Sequence, residues 1–304
     1  MTIKNADMSL GPALLTVFLC ILFGGNGVAM KLGYTGIGPF TSAGIRFTLA
    51  SILLILWARY KSIPLKLTPT QWRLILFQCF LFIFQVSCFH LGLANTTASH
   101  GALIANILPF MVLILAHFFI PGDRITIRKG LGILLGFIGV VILFFDAPDL
   151  NTDLQKGDII VLTAVLCWSV SAIYVKRIID HFDPVQITLY PMVLGIPVFF
   201  INGWLWDEIM IYQITPTVIK ALLYQGAIIA TFGFVCWNTM LRKFGATALH
   251  SFVFIVPLSG VTNGVIILDE PVTSHLLMAI VCIVIGIVVV NFKRRKKTPA
   301  VPLH

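Results

Sequence analysis

"HGALIANILPFMVLILAHFFIPGDRIT", residues 100–126, places Pro109 inside an apolar run long enough to cross a bilayer. Residues 248–274, "ALHSFVFIVPLSGVTNGVIILDEPVTS", repeat the arrangement with Pro257 at an offset of 148. Proline within a helix removes a backbone donor and frees the carbonyl four residues earlier. Inside a membrane such a carbonyl is tolerated where protein or cavity water satisfies it. Two matched breaks therefore predict one polar interior lined from opposite directions. A packing kink is the bland alternative for either proline alone.

The rest of the chain puts these helices in a membrane. Of its 304 residues, 58% are hydrophobic and 11% charged, and the mean hydropathy is +0.98. A soluble domain is about 45–50% apolar and about 25% charged. The expected fold class is an all-α polytopic membrane protein. A transmembrane barrel is excluded because none of the long runs alternates. Bounded apolar runs predict ten spans, near 12–32, 39–58, 72–93, 98–119, 128–146, 157–178, 184–204, 216–240, 246–267 and 273–292. The connections are too short to hold a soluble domain.

The net charge of +9 points to lipid rather than nucleic acid once it is located. With the N-terminus inside, the cytoplasmic segments and span ends carry seventeen Lys and Arg, including Arg59, Arg73 and the tail Lys293–Lys297, against Lys31, Lys156 and Lys220 opposite. Positive charge stays on the cytoplasmic side, so both termini are expected there and the tail 293–304 reads as a basic anchor. The first apolar run lacks a clear cleavage site and is expected to be retained. The six cysteines sit singly in apolar runs without metal-ligand spacing. No cofactor or metal is expected.

The paired prolines belong to a longer repeat. Lys31 and Pro39 return as Lys176 and Pro184 at an offset of 145, and His90 aligns with Asn238 at 148. Asp123 aligns with Glu270, and Gly139 with Gly286, at 147. The expected units are residues 12–146 and 157–292, five spans each. An odd number of spans inverts the second unit relative to the first. Inverted repeats with interrupted helices are a recurring architecture of secondary transporters, with the substrate near the midplane.

Four segments, "LFGGNGVAMKLG", "LCWSVSAIYVKR", "LPFMVLILAHFFIPGDR" and "VPLSGVTNGVIILDEP", resemble the EamA-domain family of the drug/metabolite transporter superfamily over essentially the whole chain. The chain departs from the family pattern at Asp269, where Gly is usual, and at Pro121-Gly122-Asp123. The resemblance implies a ten-helix inner-membrane carrier that exports amino acids or other small metabolites. It is specific for fold and poor for substrate, which must be argued from the site.

All twelve acidic residues fall in loops or at span ends. That disfavours an exporter of organic cations coupled through a membrane-embedded carboxylate. The expected substrate-binding set is neutral or basic: Asn26, Gln78, Gln85, His90 and Asn106 in the first half, and Trp168, Ser171, Tyr174, Gln225, Trp237, Asn238 and His250 in the second. Amides and hydroxyls bind an ammonium and a carboxylate without a fixed countercharge, and aromatic rings take an apolar portion. Pro109 and Pro257 are the expected helix breaks.

Each candidate has a structural alternative. Asn26, Ser171 and Asn263 suit helix–helix bonding equally well. His90 and Asn238 lie near span ends, where a gate is an alternative to a cavity role, and His100 and His250 suit structural bonds as well as proton relays. Arg46 is expected to snorkel to the interface. Gly132-x-x-x-Gly136 is expected to pack within the chain, with a dimer as the alternative to a monomer. An intramembrane enzyme is disfavoured for want of any catalytic constellation. A receptor or scaffold is disfavoured because loops of about a dozen residues are plain connections. What remains is a carrier of a small molecule, working by alternating access.

Overall fold

A computed structural model describes residues 9–119, 127–144, 152–244, 252 and 255–291. Among them every regular element is helical, apart from an isolated antiparallel bridge between Ile37 and Ile211. In order these are α1 Leu10–Tyr34, α2 Pro39–Tyr60, α3 Pro69–Ala94, α4 Ala98–Ala105, α5 Leu108–Phe119 and α6 Ile127–Phe144. Then come α7 Thr152–Ile178, a short 3-10 turn, α8 Pro184–Trp206 and α9 Pro216–Leu223. A π-helical segment Tyr224–Gly233 leads into α10 Phe234–Phe244, followed by α11 Ile255–Leu268 and α12 Ser274–Asn291.

The starts of these helices are legible in local chemistry. Proline opens α2, α3, α8 and α9, where its missing N–H would have no helical partner anyway. Thr68 and Asp183 close reciprocal capping boxes with Gln71 and Gln186, and Thr97 and Thr215 accept from backbone N–H groups of α4 and α9. A side-chain cap of this kind is worth about 1 kcal/mol.

Seven segments among the described residues are long and apolar enough to cross a membrane, and three shorter apolar stretches fall within the fifth, ninth and tenth expected spans. Two expected spans are subdivided. Residues 98–119 form α4 and α5 around a turn at Asn106–Ile107. Residues 216–240 pass through the π segment. The seventh helix starts five residues earlier than expected, at Thr152.

The helices pack as α2 on α8, α3 on α7, α1 on α11, and α6 on α12. The α2–α8 pair is antiparallel: Gly44 faces Phe200, and Gly203 lies against Thr41. The bundle thus has a Pro39 end, where α2 begins and α8 finishes, and a Pro184 end, where α8 begins. Phe47, Leu54, Leu189, Met192 and Phe199 form the apolar centre between them. Other large apolar side chains, among them Phe18, Leu56, Phe80 and Ile201, point outward and are exposed. An apolar exterior on this scale is what a lipid-facing surface requires.

The α6–α12 pair explains the small-residue motif. A methyl on Gly286 would meet the Gly132 carbonyl oxygen at 2.7 Å and the Gly136 nitrogen at 3.0 Å. Gly132 and Gly136 therefore face α12 of the same chain, as close helix packing with small residues permits.

Candidate functional site

The most concentrated set of unsatisfied buried polar atoms surrounds the start of α2, where α1, α3 and the π segment converge on it. Arg46 is only 5% exposed, its guanidinium lies 4.6 Å from the Phe47 ring centre, and its Nε has no hydrogen-bond partner. The expected snorkelling is therefore corrected. The Pro39 end is covered, and the covering carboxylate, Asp207, is engaged elsewhere. Asp207 accepts from the backbone of Phe40 and Thr41 at 3.2 and 2.8 Å and from the Thr41 hydroxyl at 2.8 Å.

His90, 1% exposed, meets the first residue of the same helix, α2. Its Nδ1 lies 2.9 Å from the Pro39 carbonyl oxygen and 3.0 Å from the Tyr34 hydroxyl. A carbonyl only accepts, so in the neutral ring Nδ1 carries the proton. Nε2 is then a bare acceptor, buried and unpartnered. Gln225 is fully buried, and its Nε2 donates to the Ala29 carbonyl at 2.9 Å. That bond fixes the amide's orientation and leaves Oε1 unpartnered. The Ser42 hydroxyl, also fully buried, has no partner either. Each such orphan costs about 1–3 kcal/mol.

The remaining expected site residues fall into separate places. Gln78 and Ser171 satisfy one another across α3 and α7 at 2.9 and 3.2 Å. Tyr174 donates to the Leu74 carbonyl and packs edge-on against Phe77. Asn238 donates to the Thr188 hydroxyl at 3.0 Å, at the Pro184 end. Thr188 and Gly203 are fifteen residues apart on α8, about 22 Å at 1.5 Å per residue. His90 and Asn238 therefore lie at opposite ends of the bundle. Trp237 packs edge-on against Phe23, Trp168 is half-buried on α7, and Gln85 is buried on α3 with Oε1 unpartnered. Asn26 donates to the Met30 sulfur while its Oδ1 stays unpartnered. His250 lies outside the described residues.

The two prolines stand at helix starts. Pro109 is the second residue of α5, and the turn before it is carried by short-range bonds from Asn106 and Ile107 to Leu103 and Ile104. Asn106 donates its side-chain amide back to the Ala102 carbonyl at 2.6 Å. Pro257 is the third residue of α11, whose first residue bonds back to Phe252.

A second polar cluster lies at the Pro39 end. Glu270 accepts from the backbone of Ala98 and Ser99 at 2.6 and 2.9 Å and from the Ser99 hydroxyl. Asp158, 1% exposed in the second turn of α7, meets His100 at 2.9 Å and accepts from the Thr96 hydroxyl. By position Asp158 is a span-end acid, as expected. It is buried against His100 and Thr96. Sequence reasoning also missed Tyr34 and Ser42, which carry no signal in their own neighbourhoods. Arg46 did carry one, as a lone cation inside an apolar span.

The sequence profile of the EamA-like transporter family matches residues 11–145 and again residues 155–292. An uncharacterized transporter YvbV of Bacillus subtilis is 25% identical, covering 95% of this chain and 94% of its own. A probable amino-acid metabolite efflux pump of Escherichia coli is 25% identical, covering 95% and 97%. One crystal structure shares the fold with a TM-score of 0.70 at 17% identity, covering 92% of this chain and 96% of that one.

Proposed function

This chain belongs to the EamA-like transporter family, and from that premise we propose that it carries amino acids or related zwitterionic metabolites across the inner membrane by alternating access. It works as ten spans in two inverted five-helix repeats, residues 12–146 and 157–292, with both termini cytoplasmic and export as its direction. The observation that carries this reading is the packing taken together with the doubled family match.

Exchange of the two repeats maps the packing onto itself. The pairs α2–α8 and α6–α12 each join corresponding helices, the contact of α3 with α8 is mirrored by that of α2 with the π segment, and α1 on α11 is mirrored by α7 on α4 and α5. A twofold arrangement of this kind lets one half rock against the other about a shared interior. The substrate class is supported by the printed name of the Escherichia coli relative and by an interior whose polar groups are mostly amides, hydroxyls and imidazoles. His90, Gln225 and Asn238 serve the passage from its two ends.

Counterflow in proteoliposomes tests this directly. A panel of labelled amino acids and neutral drugs is offered to wild type, His90→Ala and Asn238→Ala, with and without a pH gradient. Saturable exchange of an amino acid, slowed in both variants, is the expected result. Exchange of the neutral drugs alone would move the substrate elsewhere in the superfamily. Absence of exchange from folded protein across the panel would remove the amino-acid reading.

A further inference from the structure

We propose that Arg46 is the carboxylate anchor of a head-group site for α-amino acids, with Ser42 beside it and with Gln225 and His90 receiving the ammonium. The inference rests on the amino-acid reading above and assigns its chemistry to particular atoms. Four observations carry it, and they concern different residues on three different elements.

Arg46 is buried without a carboxylate partner: no ion pair to it is formed among the described residues, and its Nε is unpartnered. A guanidinium presents a planar fork of donors matched to a carboxylate. One turn earlier on α2, the Ser42 hydroxyl is fully buried and also unpartnered. These two supply donors. From the π segment and α3, Gln225 Oε1 and His90 Nε2 are buried acceptors without donors. Their orientations are set by bonds on their other ends, to Ala29 and Pro39. The open atoms therefore fall into a donor pair and an acceptor pair, the complement of a carboxylate beside an ammonium.

The groups belong to one junction. A methyl on Gly33 would meet Gln225 Nε2 at 3.3 Å and Ser42 Oγ at 3.5 Å. Gly226, next to Gln225, lies against the Arg46 backbone, where a methyl would meet the carbonyl oxygen at 3.0 Å. Tyr34, the last residue of α1, and His90 meet at 3.0 Å over the first residue of α2. Glycine at 226 lets the π segment approach α2 this closely. The π segment itself turns Gln225 toward α1, and such segments recur where a helix serves a site. A structural arginine buried in a membrane would be expected to carry its own countercharge. The carboxylates at this end are engaged elsewhere: Asp207 by the N-terminus of α2, Glu270 by that of α4, and Asp158 by His100 and Thr96.

The test reads affinity on purified wild type in detergent from ligand-induced shifts in thermal unfolding. The probes are two matched trios: L-phenylalanine, 2-phenylethylamine and 3-phenylpropionate, and L-leucine, isoamylamine and 4-methylpentanoate. Removing the carboxylate should weaken binding at least about tenfold, because it deletes a charge-assisted bond and strands the guanidinium. Arg46→Gln should lose the amino acids and the free acids by a similar factor while leaving the amines unchanged. Arg46→Lys keeps the charge, removes the fork and should fall between, so a misfolded Arg46→Gln does not shield the idea.

Amines that bind wild type as well as their amino acids would overturn the proposal, as would acids that bind Arg46→Gln undiminished. Binding of the free acids but not the amino acids, lost in Arg46→Gln, would uphold the anchor and reject the amino-acid reading. Amino-acid counterflow indifferent to Arg46 would keep that reading and reject the anchor. No binding of any of the six compounds to wild type would overturn both.

Discussion

Helices α2 and α8 stand at corresponding places in the two halves, both open with proline, and both need partners for their first backbone N–H groups. They obtain them differently. At the Pro184 end, Asp183 caps its own helix, accepting from Val185 at 2.8 Å, and Gln186 returns the bond. At the Pro39 end the corresponding residue is Gly38, which has no side chain to offer. Asp207 from the other half takes its place. Gly38 is glycine for a steric reason as well, since a methyl there would run into the Asp207 side chain.

The same helix start is thus capped within one half and across the two halves in turn. Glu270 repeats the cross-half arrangement on α4. Backbone bonds between the 36–38 turn and residues 210–213 close the seam further. At the Pro184 end, among the described residues, side chains reach carbonyls across the seam, with Gln186 donating to Pro64 and Gln71 to His181. A cap made in cis stabilises one helix. A cap made in trans also holds two bodies together, and its loss lets them part.

Removing the trans cap should have the largest effect. Asp207→Ala abandons three bonds at a positive helix end and should cost about 2–3 kcal/mol, read as a fall in the unfolding midpoint in detergent. Glu270→Gln keeps the shape and loses the charge on α4, for about 1–2 kcal/mol in the same assay. Asp183→Ala removes only a cis cap and should cost about 1 kcal/mol. Equal losses at positions 207 and 183 would dissolve the distinction between the ends. The sharpest version moves the cap. Gly38→Asp in an Asp207→Gly background supplies α2 with its own carboxylate and should recover about 1 kcal/mol of stability. It should not restore the tie between halves, so transport should remain altered while the unfolding midpoint recovers.

Much of this fold is legible in the sequence because lipid imposes a simple rule. Long apolar runs and proline at helix starts locate α1, α2, α3 and α8 to within a few residues. The matched prolines locate the helix start at Leu108, although its relation to a break is a turn before the proline, not a kink at it. Contacts between distant residues are harder to read. Nothing near Asp207 announces that it serves Thr41, and nothing near Gly38 says that its cap arrives from the other half. Arg46 is buried where its sequence predicts snorkelling, for the same reason. A snorkelling arginine needs open water within reach of its stem, and only the tertiary seam decides whether that water is there. Gln78 and Ser171, singled out as polar residues in apolar helices, meet each other and satisfy the need that made them conspicuous.

The central claim is that one junction is reached in turn from the two sides of the membrane. Ser42, fully buried beside Arg46, is the place to test it. The measurement is labelling of Ser42→Cys with a membrane-impermeant thiol reagent, applied to either face of oriented vesicles, in protein whose six native cysteines are replaced and whose counterflow is retained. Labelling from each face is expected, with protection on both by an amino acid that the protein exchanges in counterflow. Labelling confined to one face, whatever substrate is present, would contradict alternating access through this site.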